Sequence, residues 1–359
     1  MKKAILSASG KTLPLWLLVG FSIGIFLPAS SVGSNRVAMV SLESVDLVAI
    51  LHNLTERWEG TASHLPIAVE AHNRFSPLRG GKAVGMTDSI MRRSDLHALL
   101  HLALLLTGPP EFDLKERGVS GMQKTYLDRY LKALREFYLE ADLRSFRGEH
   151  EAAIQALLGG FRQQADLEKA VDVCESYFGS KWDRYVIVFT PYLPGLRMSR
   201  LIESDGGPNP WVLFGPTKTE TASDALRGGR EFLRKIVFRE IGRQFAIKAL
   251  EGRKDLLDRN RRLLPLFAAE NPERKPWHIL FLRGLSSAIE IRLVREAFGE
   301  DVSPQVFEEF PGREDRLVRI LNDLLEAYED QRDRHETLAH FMPRLLEDLE
   351  ERAPRGSRD

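Results

Sequence analysis

The 359 residues are 43% hydrophobic and 28% charged, with 51 basic against 51 acidic side chains, enough for a sizeable core in one large domain or two small ones. The even balance leaves no electrostatic footprint for nucleic acid. The only cysteine is Cys174, which excludes an intramolecular disulfide, so stability must come from the core.

Residues 1–33 read as a secretory signal peptide. Lys2, Lys3 and Lys11 precede an apolar run from Leu13 to Ala29, and the small residues SSVGS follow. Seventeen apolar residues are near the lower limit for spanning a bilayer, so an uncleaved N-terminal anchor is the competing reading. Only in that case is membrane contact expected. The mature chain should begin between Val32 and Asn35 and lie outside the cytoplasm, in the periplasm, cell envelope or medium. Without the three lysines, 48 basic residues face 51 acidic ones.

From 34 to 180 the pattern is helical. Apolar residues recur at three- and four-residue spacing over 44–54, 94–106, 123–143 and 151–178. Cys174 falls inside the last of these and reads as a small buried residue. A second part, 181–350, opens on DRYVIVFTPYL (183–193), a β-branched and aromatic run closed by proline that reads as a buried strand. The turn-rich SDGGPNP and a second short strand, WVLFG, come next. Helical patterns resume over 223–250, 255–270, 277–298 and 313–350, and the tail 351–359 is polar and frayed. The expected fold class is α+β, mostly α-helical with a small β-sheet.

The helix expected at 229–250 is anomalous. One ridge reads Phe232, Ile236, Arg239, Arg243, Ala246, Leu250 and its neighbour Leu233, Val237, Ile241, Phe245. Two apolar ridges about 100° apart mark an embedded helix, yet two arginines occupy the middle of one. Unpartnered buried guanidinium groups cost several kcal/mol (order of magnitude), so acids should face them. Histidine at both positions would complete an H-E-x-x-H motif. That spacing places two imidazoles about 40° apart on one side of a helix, with the glutamate set to activate a zinc-bound water. Arginine offers no lone pair to a cation. On its own, the stretch is either a degenerate metal helix or a charge pattern that happens to fit.

Downstream, KPWHILFLRGLSSAIEIRLVREAFG (275–299) extends the comparison. With VFREIGRQF it resembles a bacterial family of exported proteins of unknown function that is similar to gluzincin-type zinc metallopeptidases. That family carries a His-Glu-Phe-x-His-Ser-Phe helix, then Trp, Asn-Glu-x-Leu-Val-Arg-Ala and an Ile-Arg-Leu run. Here Trp277, the segment Leu282 to Ala288 and Ile291 to Leu293 take those places, and LTGPPEFDL (106–114), ALREFYLEADL and residues 327–349 are further matches. The resemblance implies a gluzincin-like architecture with a degenerate active-site helix. It puts the two histidine ligands on Arg239 and Arg243 and the third, a glutamate, on Arg283, while the family's arginine after Leu-Val is Ser287. Only the general base survives, as Glu240, and as a zinc hydrolase the site should be dead.

The reading this favours is a catalytically inactive homologue acting as an exported binding or structural protein, with no cofactor. Arg239, Arg243 and Arg283 are expected to gather around Glu240, with Glu290 among the compensating acids. They form either a structural ion cluster or a site for an anion such as a carboxylate-bearing peptide; no partner protein follows from the sequence. The alternative is an active hydrolase with ligands rearranged around Glu240, using zinc, Glu290 and His278. Two other histidine pairs are weaker. His335 and His340 are five apart, about 140° on a helix. His97 and His101 share a face but sit in a strongly apolar helix, where core or cap roles are expected.

Overall fold

A computed structural model describes residues 36–55, 63, 65–115, 123–203, 207–216, 233–267, 276–310 and 313–353. The expected signal segment and cleavage point, residues 223–232 at the start of the helical pattern expected over 223–250, and the last six residues lie outside these. The chain runs β1 (Val37–Val40), α1 (Glu43–Leu54), α2 (Pro66–Phe75), α3 (Lys82–Met91), α4 (Leu96–Leu104), α5 (Lys124–Glu140), α6 (Leu143–Gln164), α7 (Leu167–Phe178), β2 (Tyr185–Phe189), β3 (Arg197–Ile202) and β4 (Asn209–Phe214). A π-helix (Leu233–Ile241) then passes directly into α8 (Gly242–Leu250), followed by α9 (Lys254–Arg259), α10 (Leu264–Phe267), α11 (Trp277–Phe298), α12 (Ser303–Glu308), α13 (Arg313–Asp330) and α14 (Leu338–Arg352).

The fold is α+β and mostly helical, as expected, but the sheet has four strands where the sequence pointed to two. Their order is β1-β2-β4-β3, with β1, β2 and β4 parallel and β3 antiparallel at one edge. All five residues of β2 are buried, the pattern of a central strand covered on both faces. The two overlooked strands are short and uncharacteristic. VAMV is only four residues long, and RMSRLI carries two arginines suited to an open edge.

Two long helical patterns are each divided. Residues 151–178 cross a break at Ala165, where Asp166 caps α7 by accepting from the Lys169 amide at 3.1 Å. The span 313–350 breaks after Asp330, and Thr337 caps α14. Helix α11 is apolar on nearly every side, as a helix enclosed by others must be. It packs against α13, the π-helix and α8. Gly284 permits the approach of α13, since a β-carbon there would sit 3.2 Å from Leu317. Residues 34–359 form one compact unit. Cys174 is buried, and burial raises its thiol pKa, as a structural cysteine requires.

Candidate anion-binding site

Glu240 lies where the π-helix passes beneath the edge of the sheet, only 6% exposed. A chain of hydrogen bonds fixes it to β3. Gln244 Nε2 donates to Ser199 Oγ at 2.7 Å, and Ser199 Oγ donates to Glu240 Oε2 at 2.9 Å. Each of these three residues is buried, so the serine hydroxyl serves as the obligatory relay between an amide and a carboxylate.

Arg239 turns to a different set of partners. Its Nε lies 3.2 Å from Glu290 Oε2, Nη1 donates to Glu309 Oε2 at 2.6 Å and Nη2 donates to Ser287 Oγ at 2.9 Å. Arg234 joins the same acids, with Nη1 at 3.0 Å from Glu290 Oε1 and Nη2 at 3.6 Å from Glu309 Oε1, and Lys235 Nζ lies 3.5 Å from Glu309. The π-helix explains the pairing. Five residues apart on an α-helix are about 140° apart, but i→i+5 bonding stacks residues 234 and 239 on one face. Glu290, with 0% side-chain exposure, is the buried hub of this cluster.

Burial alone would lower the Arg239 guanidinium pKa, but Glu290 and Glu309 outweigh it and raise the pKa above its ordinary value. The converse holds at Glu309, where burial would raise the carboxyl pKa but Arg239, Lys235 and Arg234 bring it below the ordinary range. A carboxylate with a depressed folded pKa contributes stability that is complete above its unfolded pKa, about 4.3, and is lost as the pH falls through the folded value. Glu309→Gln is therefore expected to lower stability at pH 7 and to flatten the decline below about pH 4.3. Urea denaturation at a series of pH values tests this, and an unchanged acid limb would contradict it.

The structure does not unite the three arginines in one ion cluster. Arg283 is 45% exposed, pairs with Glu314 at 3.1 Å and lies over the Phe310 ring at 4.6 Å. That ring also lies 6.0 Å from the Arg239 guanidinium, so these two bracket one aromatic side chain. Arg243, half-buried on α8, has no carboxylate within ion-pair distance among the described residues. It acts electrostatically on another cation, Arg200 of β3. Arg200 is half-buried, donates from Nη1 to the Ser199 carbonyl at 2.9 Å and likewise has no ion-pair partner among the described residues. Burial lowers the Arg200 pKa, and Arg243 lowers it further against the opposing pull of Asp95 and Glu240. His101 of α4 also feels this charge, its pKa lowered by burial and then by Arg200. A cleft of about 260 Å3 is lined by Trp182, Leu201, Pro208, Lys248 and Glu251 among others.

The comparisons with known proteins fit this region of the chain. The family model described as "Domain of unknown function (DUF4932)" matches residues 96–347, well over half of the sequence. The chain belongs to the DUF4932 family. No curated protein and no solved structure matches it.

In this DUF4932 protein, the residues at the ligand positions that the metallopeptidase resemblance implies do not fit zinc. Arginine occupies all three expected ligand positions and has no lone pair to donate. The alternative ligand His278 is exposed on the first turn of α11, and Glu290 is committed to Arg234 and Arg239. Among the described residues, no metal-compatible group of three includes Glu240, Glu290 or His278. Sequence reasoning missed Ser199, Arg200, Arg234 and Glu309. For Arg234 the π-helix hid the relation to Arg239, and Ser199 and Arg200 belong to the overlooked edge strand.

Proposed function

We propose that this chain is a homologue of gluzincin-type metallopeptidases without catalytic zinc at the Arg239–Arg243 helix, exported from the cytoplasm, that binds the carboxylate of an extended peptide without cleaving it. The observation that carries the reading is the Arg200–Arg243 pair. Two half-buried cations that act on each other electrostatically, neither ion-paired to an acid among the described residues, would be stabilised by an oxyanion placed between them, since guanidinium forks match carboxylates two bonds at a time. The β3 edge supplies main-chain partners for an extended chain, and the cleft lined by Leu201 of β3 would take a side chain.

The remaining arginines support an inactive site rather than a rearranged one. In the resembling family, zinc charge sits where Arg239 now pairs with Glu290 and Glu309, and an arginine sits where Ser287 now accepts from Arg239. Fixed positive charge has replaced the ion and is neutralised within the fold. Glu240, held by Ser199, is left without a metal-bound water to deprotonate.

Catalysis is tested by incubating the purified chain, with and without added zinc, with a broad mixture of peptides. Cleavage is expected to stay at the level of Glu240→Gln. Hydrolysis that disappears in Glu240→Gln would replace this reading with the hydrolase alternative.

A further inference from the structure

A second group of side chains, remote in sequence from the arginine helix, has the makings of a metal site. Glu70 of α2 and Glu149 and His150 of α6 bring one ligand atom each within 4.8 Å of one another. Around a tetrahedral ion with ligand distances of about 2.1 Å, donors lie about 3.4 Å apart, so the three need only a small closing movement.

The histidine supplies the independent argument. Its Nδ1 lies 2.8 Å from the carbonyl oxygen of Phe146, a group that can only accept, so Nδ1 carries the hydrogen. In the neutral ring Nε2 then presents a bare lone pair. That lone pair lies 3.0 Å from Glu70 Oε2, another acceptor. Two acceptors at this distance repel unless a positive charge lies between them. A proton would settle the His150–Glu70 contact alone, with Glu149 held by Arg74; a divalent ion uses all three.

The surroundings have the form of an outer shell. A backbone carbonyl sets the tautomer of a ligating histidine, and here Phe146 provides it. The same residue's ring lies against the imidazole, with centroids 4.4 Å apart, and limits its rotation. Arg74 Nη1 donates to Glu149 Oε2 at 2.7 Å and orients that carboxylate. The site is open to solvent on one side, which leaves the fourth position to water.

We infer that Glu70, Glu149 and His150 bind a divalent transition-metal ion of the kind that accepts both imidazole and carboxylate, zinc foremost, clipping α2 to α6. This site is independent of the proposed peptide site, and neither depends on the other's being correct.

The test is a zinc titration of the untagged, chelator-treated full chain by calorimetry, with thermal unfolding followed at each zinc concentration. One tight equivalent is expected, with Tm rising as zinc is added. His150→Ala should lose that equivalent and the rise in Tm. Glu70→Gln should weaken binding at least about tenfold. Because both carboxylates are exposed, a Glu70→Gln/Glu149→Gln double variant carries the test if His150→Ala fails to fold. Absence of tight zinc binding, or tight binding unchanged in these variants, would overturn the inference. Retained zinc that is lost in Glu240→Gln would locate the ion at the degenerate helix and overturn the functional reading as well.

Discussion

Glu290→Gln is expected to destabilise the fold by about 3–5 kcal/mol, because removing one partner of a buried ion pair leaves the other uncompensated. The glutamate sits on α11 with no exposed surface, between Arg234 and Arg239 of the π-helix. The amide keeps the size and one acceptor but loses the charge, which leaves Glu309 to pair with Arg234, Lys235 and Arg239 in this cluster. Urea denaturation followed by tryptophan fluorescence gives the difference. A double-mutant cycle with Arg239→Gln should return a coupling of about 0.5–3 kcal/mol. Additive losses would mean that proximity here carries no energy, and the view of Arg239 as a structural replacement for metal charge would fail.

A comparably large loss is expected at Gly215, for a steric reason. A β-carbon at this position would lie 1.7 Å from the Leu193 carbonyl oxygen and 2.7 Å from its carbon, so a backbone segment rather than a side chain would have to move. The two segments are laced by hydrogen bonds from Gly195 N to Pro216 O at 2.6 Å and from Gly215 N to Leu196 O at 3.1 Å. Gly215→Ala must break or stretch these at the end of β4, and a loss of more than about 3 kcal/mol follows from overpacking combined with unmet backbone groups. Gly85→Ala is the control. Nothing lies within 4 Å of a β-carbon there, and the helix α3 should gain about 0.5–1 kcal/mol. Similar effects at both positions would contradict the account.

What could be read from the sequence follows from periodicity. The π-helix and α8 announced themselves as an embedded helix because apolar residues flank Arg239 and Arg243 on both sides, and β2 and β4 because they are apolar and end at Pro or Gly. The demand for acids opposite buried arginines anticipated Glu290 correctly. It could not supply Glu309, whose place depends on a turn after α12, or Arg234, which joins Arg239 only through i→i+5 spacing. Arg243 was expected in that ion cluster on the assumption of an unbroken α-helical ridge. A π-turn takes in more residues than an α-turn, so the phase of the ridge slips before α8 begins. Ser199 and Arg200 were invisible for a different reason, since a short edge strand with two arginines lacks the apolar run that identifies buried strands.

The most direct measurement of the central claim compares one peptide mixture in two forms, with free C-terminal carboxylates and with amidated termini, titrated into the wild-type chain and into Arg200→Gln and Arg243→Gln. The probe is a mixture of short random-sequence peptides, read by the chemical shifts of the arginine side chains. The free-acid mixture should perturb the Arg200 and Arg243 guanidinium signals, and the amidated mixture should bind at least about tenfold more weakly, the loss of one charge-assisted hydrogen-bonded contact. Each single variant should reduce the free-acid affinity to that of the amide. Equal binding of both forms, or free-acid binding unaffected by either substitution, would contradict the account.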